Sequence, residues 1–214
     1  MNNVVETIGK LGIVPVVAIE NAKDAAELGS ALMAGGLPCA EITFRTAAAR
    51  DSIATLTAKF PNMVVGAGTI LTVEQAEQAK SAGAKFVVTP GFDAQVVDWC
   101  LANEMPVTPG VITPTEINMA LNKGLNILKF FPAEASGGIK LLKAVGGPYG
   151  TVKFIPTGGI NAANLADYIR LGNVHACGGS WMVKKQLIAD GNFAEITQLA
   201  RQAVETIQQI RGTS

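Results

Sequence analysis

A chain of 214 residues with 49% hydrophobic and 16% charged residues has the composition of one folded domain and excludes a disordered segment. Seventeen Lys and Arg balance seventeen Asp and Glu, so no excess positive charge marks a nucleic-acid or anionic-membrane partner, and the ligand has to be recognised locally. Residues 1–10 lack a basic start and a long apolar core, no run of about 18 apolar residues would cross a bilayer, and Cys39, Cys100 and Cys177 read as buried, reduced thiols; a soluble cytoplasmic protein is expected.

Val4, Val5, Ile8 and Leu11 recur at helical spacing and Gly12 supplies a stop, which predicts a short N-terminal helix plugging one end of the fold. A pattern then repeats: a short β-branched run, a turn, and an alanine-rich amphipathic stretch ending in glycine. It predicts strands over 13–19, 40–43, 63–66, 85–89, 106–108, 127–131, 152–156 and 174–177. Helices are predicted over 22–34, 47–59, 73–81, 94–102, 114–122, 138–145 and 162–170, with a long amphipathic helix over 193–210. Strict alternation implies a parallel sheet with helices outside, and eight units favour closure into an α/β TIM barrel, (β/α)8. No linker divides the chain, so residues 1–214 are expected to form a single domain.

In such barrels the chemistry sits at the C-terminal strand ends. The run 127–131 carries one lysine, Lys129, among Ile127, Leu128, Phe130 and Phe131. An apolar surround disfavours the charged form of an amine, by up to about 3–5 pK units at complete burial, and a neutral amine is what attacks a carbonyl. Taken alone, the segment suits a lysine that snorkels to solvent or pairs with a carboxylate more readily than a nucleophile. The other strand ends change that balance. Glu41, between Ala40 and Ile42, has Arg45 as its nearest structural partner and alone would be half of an ordinary salt bridge. With Lys129 at the same mouth, the three read as an amine nucleophile, a proton-shuttling carboxylate and an arginine for a substrate carboxylate. Thr69 can donate to that carboxylate or cap the next helix. Gly158-Gly159 and Gly178-Gly179-Ser180 stand where barrels bind phosphate, glycine baring backbone N–H groups and a helix start after Ser180 adding its dipole. Tight turns are the plain alternative for either pair; both together favour phosphate. A single histidine, His175, expected inside the last strand, makes no coordination set, so no metal is expected. Trp99 and Trp181 read as packing residues, Trp181 walling the phosphate loop.

The segments Glu41-Ile42-Thr43-Phe44-Arg45-Thr46, Gly66-Ala67-Gly68-Thr69, Lys129-Phe130-Phe131-Pro132-Ala133-Glu134, Pro156-Thr157-Gly158-Gly159-Ile160 and Gly178-Gly179-Ser180-Trp181 together resemble the 2-keto-3-deoxy-6-phosphogluconate (KDPG)/4-hydroxy-2-oxoglutarate (KHG) aldolases, over essentially the whole chain. The resemblance implies a (β/α)8 class I aldolase, commonly a homotrimer, that uses no metal or other cofactor and splits a phosphorylated keto acid into pyruvate and glyceraldehyde 3-phosphate. It makes Lys129 the Schiff-base lysine, Glu41 the general acid/base, and Arg45 and Thr69 ligands of the pyruvate carboxylate. Phe131 falls among the substrate-binding residues, and Thr157, Gly158, Gly159, Gly179 and Ser180 at the phosphate end. Related phosphogalactonate aldolases carry asparagine and valine at the positions of Arg45 and Thr157, which favours the gluconate epimer here; KHG is a possible second substrate. Two other readings stay open: a non-catalytic sugar-phosphate-binding barrel and a trimeric assembly scaffold.

Overall fold

Gly12, at φ +72°, ends helix α1 (Asn2–Leu11): its N–H donates to the Ile8 carbonyl at 3.0 Å, and its left-handed backbone turns the chain straight into strand β1 (Ile13–Val17). The computed structural model describes residues 2–212, and side chains from Val4 onward. Eight further short strands follow: β2 (Cys39–Thr43), β3 (Val64–Gly68), β4 (Val87–Val88), β5 (Val107–Thr108), β6 (Gly110–Val111), β7 (Ile127–Phe130), β8 (Lys153–Pro156) and β9 (Cys177–Gly179). All pair in parallel, in two sheets ordered β5-β4-β3-β2-β1-β9 and β6-β7-β8. The architecture is α/β.

Pro109 accounts for the division. It has no N–H to continue a ladder, so β5 pairs with β4 before it and β6 with β7 after it, while its carbonyl accepts from the Lys129 N–H at 2.9 Å. Gly110 has to be glycine at this crossing, because a Cβ would stand 2.1 Å from the Pro90 carbonyl oxygen. Two isolated parallel bridges, Phe154 to Val174 and Thr157 to Gly178, link the second sheet to the first.

Helices α2 (Ala25–Ala34), α3 (Ala49–Lys59), α4 (Val73–Ser81), α5 (Ala94–Ala102), α6 (Pro114–Asn122), α7 (Gly138–Gly146), α8 (Leu165–Ile169), α9 (Lys185–Ala189) and α10 (Phe193–Arg211) occupy the connections and the C-terminus. Three of them begin on polar caps: Thr72 Oγ1 accepts from Gln75 N at 3.2 Å, Asp93 Oδ1 from Val96 N at 2.9 Å, and Thr113 forms a capping box with Glu116 behind Pro114.

The strand period of two sorts the side chains into two cores. Ile13, Val17, Ala40, Ile42, Val65, Ala67, Leu128 and Phe130 pack with the helices, whereas Val14, Cys39, Val64, Phe86, Val88 and Ile155 pack together on the other strand face. Ile8 of α1 joins this inner cluster at 3% exposure, with Val4 and Leu11 against it, in keeping with the expected plug. Ile8→Ala should therefore cost about 2–4 kcal/mol of stability, which urea unfolding will read as a lower midpoint with an unchanged slope.

Several sequence-based boundaries move. The first strand ends at Val17, and the helix expected from residue 22 opens as a 3-10 turn, Ala22–Asp24, before α2. The fourth strand shrinks to Val87–Val88, since Lys85 is turned out to the Pro61 and Met63 carbonyls. Helix α8 begins only after Asn164, because the Asn161 and Asn164 side chains bond the preceding turn in place of continuing a helix. The last strand lies over Cys177–Gly179 where 174–177 was expected, so His175 sits just before it. No span was predicted for helix α9; only a helix start directly after Ser180 was expected, and α9 begins at Lys185.

Candidate active site

Glu41 and Lys129 come from the inner strand face. In β2 the alternation sends Ala40 and Ile42 outward and Cys39 and Glu41 inward; in β7 it sends Leu128 and Phe130 outward and Lys129 inward. Their exposures are 3% and 4%, and Lys129 Nζ stands 3.6 Å from Glu41 Oε1. That oxygen has no hydrogen-bond partner among the described residues. Its space is made by Gly68 on the neighbouring strand, where a Cβ would fall 2.0 Å from Glu41 Oε1 and 2.6 Å from Cδ and Cγ. The ring of Phe131 lies 5.0 Å from Lys129 Nζ, centroid to nitrogen, within cation–π range.

Above Lys129 opens a cavity of about 230 Å³, whose walls include Arg45, Thr69, Phe131, Thr157, Gly158, Gly159 and Ser180. Val16, Pro90, Ile160 and Gly178 complete it; of these, Gly178 belongs to the glycine segment expected at the phosphate end. Glu41 faces instead a separate void of about 10 Å³ beneath the amine, walled also by Ile8, Val14 and Phe86. Lys129 and Thr157 border both spaces.

Arg45 does not pair with Glu41 among the described residues, so the ordinary salt bridge that the two would make if taken alone does not form. It lies beyond the end of β2, exposed, and its Nε donates to Thr43 Oγ1 at 3.1 Å, while the Thr43 hydroxyl donates to the Val17 carbonyl at 2.7 Å. This chain holds the guanidinium at the cavity mouth. Thr69 is not a helix cap, a role Thr72 takes; it holds φ +56°, a left-handed conformation that costs a β-branched residue about 1–3 kcal/mol.

Gly158 and Gly159 have φ +96° and +83°. Their carbonyls are occupied: Gly158 accepts from Glu134 N at 3.1 Å, and Gly159 from both Asn161 Nδ2 and Asn164 Nδ2 at 3.1 Å. Neither N–H has a partner among the described residues, which leaves a turn able to offer donors to an anion. Thr157, buried, packs against Gly178, where a Cβ would come within 2.3 Å of Oγ1. Gly179 does not line the cavity. Its open face is filled by Trp181, whose Cζ3 would be 1.9 Å from an added Cβ. Ser180 leads into a 3-10 turn, Trp181–Val183, in place of the expected helix start, so no long helix dipole is aimed at this end.

Other titratable groups read as structural. Burial, and secondly the Glu41 carboxylate, push the Cys39 thiol up; burial pushes Cys100 up to about 12 and also raises Cys177. Thiols held protonated in this way are poor nucleophiles. A His175 ring nitrogen is 2.8 Å from the Val5 carbonyl, and the ring packs beside Gly9, away from the cavity. Among the described residues no group of three or more His, Cys, Asp and Glu is disposed to hold a metal ion, and no helix is long and apolar enough to cross a membrane.

Gly68→Ala forces Glu41 to shift while leaving the cavity lining in place; if the carboxylate takes part in the chemistry, turnover is expected to fall about 100-fold, the scale of a displacement of about 1 Å in a reacting group, and steady-state kinetics on the purified variant will read it.

The profile of the family described as KDPG and KHG aldolase matches residues 4–199. A 2-dehydro-3-deoxy-phosphogluconate aldolase of Haemophilus influenzae is 48% identical over 205 residues, covering 96% of this chain and 97% of its own. A protein of the same name from Treponema pallidum is 46% identical over 207 residues, covering 97% and 99%. The crystal structure of the KDPG aldolase of Legionella pneumophila, with pyruvate captured at low pH as a covalent carbinolamine intermediate, superposes with a TM-score of 0.90 at 38% identity, covering 93% of this chain and 97% of that one. The chain belongs to the KDPG and KHG aldolase family.

Proposed function

We propose that this protein is a class I aldolase that cleaves KDPG to pyruvate and glyceraldehyde 3-phosphate through a Schiff base on Lys129, and that KHG, which would yield pyruvate and glyoxylate, is a second substrate. The observation that carries the reading is the buried Lys129–Glu41 pair, 3.6 Å apart, whose lysine floors a cavity with a cation at its mouth and a glycine turn on its wall.

In this reading the Lys129 amine, as its neutral form, attacks the C2 ketone. The carbinolamine loses water to give an iminium, whose electron demand makes the C3–C4 bond cleavable. Glu41, directly or through water, takes the C4 hydroxyl proton as that bond breaks. The bond's electron pair passes to C3 and on to the iminium, forming an enamine and releasing the aldehyde. Protonation at C3 and hydrolysis then free pyruvate and the amine. Arg45 and Thr69 bind the carboxylate, and Phe131 packs against the substrate beside the amine. Thr157, Gly158, Gly159 and Ser180 take the phosphate, with Gly178 standing at the cavity wall in place of Gly179. No step calls for a metal or other cofactor.

The two sheets are read as one closed (β/α)8 barrel and residues 1–214 as one domain. Support comes from β5 and β6 being a single strand interrupted at Pro109, and from the bridges Phe154 to Val174 and Thr157 to Gly178 across the other junction. The assembly is read as a cytoplasmic homotrimer, with exposed Leu71 and Met119 offering apolar surface; light scattering on the purified protein will give its mass.

Borohydride reduction in the presence of pyruvate, followed by peptide mass mapping, tests the chemistry. A reduced pyruvyl adduct on the peptide containing Lys129 is expected. Absence of any adduct would sink the Schiff-base mechanism and favour a non-catalytic binding barrel.

A further inference from the structure

One polar pair beside the cavity has no part in the chemistry above. Tyr168, fully buried on α8, donates its hydroxyl to Glu134 Oε1 from 34 positions along the chain. Burial first, and then the Glu134 carboxylate, hold the phenol above its usual range, so it remains a donor.

Glu134 is tied to the glycine turn twice. Its N–H donates to the Gly158 carbonyl at 3.1 Å, and its side chain lies on Gly159 so closely that a Cβ there would be 2.5 Å from Glu134 Cγ. On the far side, Gly138, at φ +54°, clears room for the pair: a Cβ would stand 2.8 Å from Glu134 Oε1 and 2.9 Å from the Tyr168 hydroxyl. Two left-handed glycines thus flank one hydrogen bond, and Glu134, itself at an exposed position, has its carboxylate fixed by a residue of the core.

We propose that the Tyr168–Glu134 hydrogen bond positions the Gly158–Gly159 turn, so that its free N–H groups are aimed at the substrate phosphate. This rests on the phosphate-end reading above. Without the hydroxyl, the Glu134 carboxylate turns to water and the surface against which Gly159 packs is no longer fixed.

Tyr168→Phe keeps the shape of the core and removes only the donor. Three readouts separate positioning from general damage: KM for KDPG, the inhibition constant of inorganic phosphate, and the rate of borohydride trapping with pyruvate, which carries no phosphate. In Tyr168→Phe both phosphate-dependent constants are expected to weaken about tenfold, on the scale of one hydrogen bond to a charged group, with kcat and the trapping rate within about twofold. Glu134→Gln, which keeps an acceptor for the hydroxyl, is expected to behave like the unmutated protein. Should Tyr168→Phe fold poorly, Glu134→Ala reads the same ratio from an exposed position. Unchanged KM and phosphate inhibition, or a loss shared equally by pyruvate trapping, overturns the positioning role alone. If inorganic phosphate does not inhibit even the unmutated protein, the phosphate assignment and the positioning role fall together.

Discussion

Lys129→Ala is expected to abolish pyruvate trapping and to lower KDPG cleavage by about 10⁵-fold or more, the scale on which a held nucleophile exceeds the same group free in solution. No other lysine lines the cavity, so no neighbouring amine is placed to take over. The substitution also leaves the carboxylate of Glu41 buried without the amine that faces it, and breaking a buried pair from one side costs about 3–5 kcal/mol. Loss of activity therefore has to be separated from loss of fold. Lys129→Met/Glu41→Gln removes both charges and retains volume; it is expected to regain most of the stability lost in Lys129→Ala while remaining inactive. Circular dichroism and urea unfolding, read beside turnover, make the distinction. A folded Lys129→Ala protein that still forms a reduced pyruvyl adduct would refute the assignment of the amine.

Glu41→Gln should separate the two halves of the reaction. Pyruvate still condenses on Lys129, whereas turnover falls by about 10² to 10⁴, the usual contribution of a positioned acid/base group. If the same carboxylate serves the enamine, exchange of the pyruvate methyl protons into deuterated water, followed by NMR, falls in parallel with turnover. Intact exchange beside crippled cleavage would assign the C3 proton to another group and confine Glu41 to the C4 hydroxyl.

Much of the helical layer was legible because its amphipathic pattern is local. Helices α4, α5 and α6 occupy the predicted spans 73–81, 94–102 and 114–122, and their starts on Thr72, Asp93 and Thr113 with Pro114 are signals that the pattern reading did not use. Strand ends were harder. Strand β9 is Cys177-Gly178-Gly179, and glycine carries no strand preference; it forms a strand here because Thr157 and Trp181 occupy the places its side chains would take. The site was legible as a set of residues more than as a set of contacts. Glu41 and Arg45 are near in sequence, yet the carboxylate meets an amine 88 positions away, brought to it by strand order and the shared inner face. Left-handed Thr69 and the room made by Gly68 belong to backbone geometry that residue identity alone does not announce.

The floor supplied by α1 bears on the order of events. Ile8, with Val14 and Phe86, closes the column under Lys129, so the amine is approached from one side. Traffic through a single doorway is sequential. Under the proposed chemistry, the aldehyde occupies the route by which water must arrive to release pyruvate, and it has to depart first. The N-terminal helix, which touches the site only from beneath, thereby sets a queue: under that chemistry the reactive enamine is shielded from premature hydrolysis for as long as the aldehyde blocks the way in.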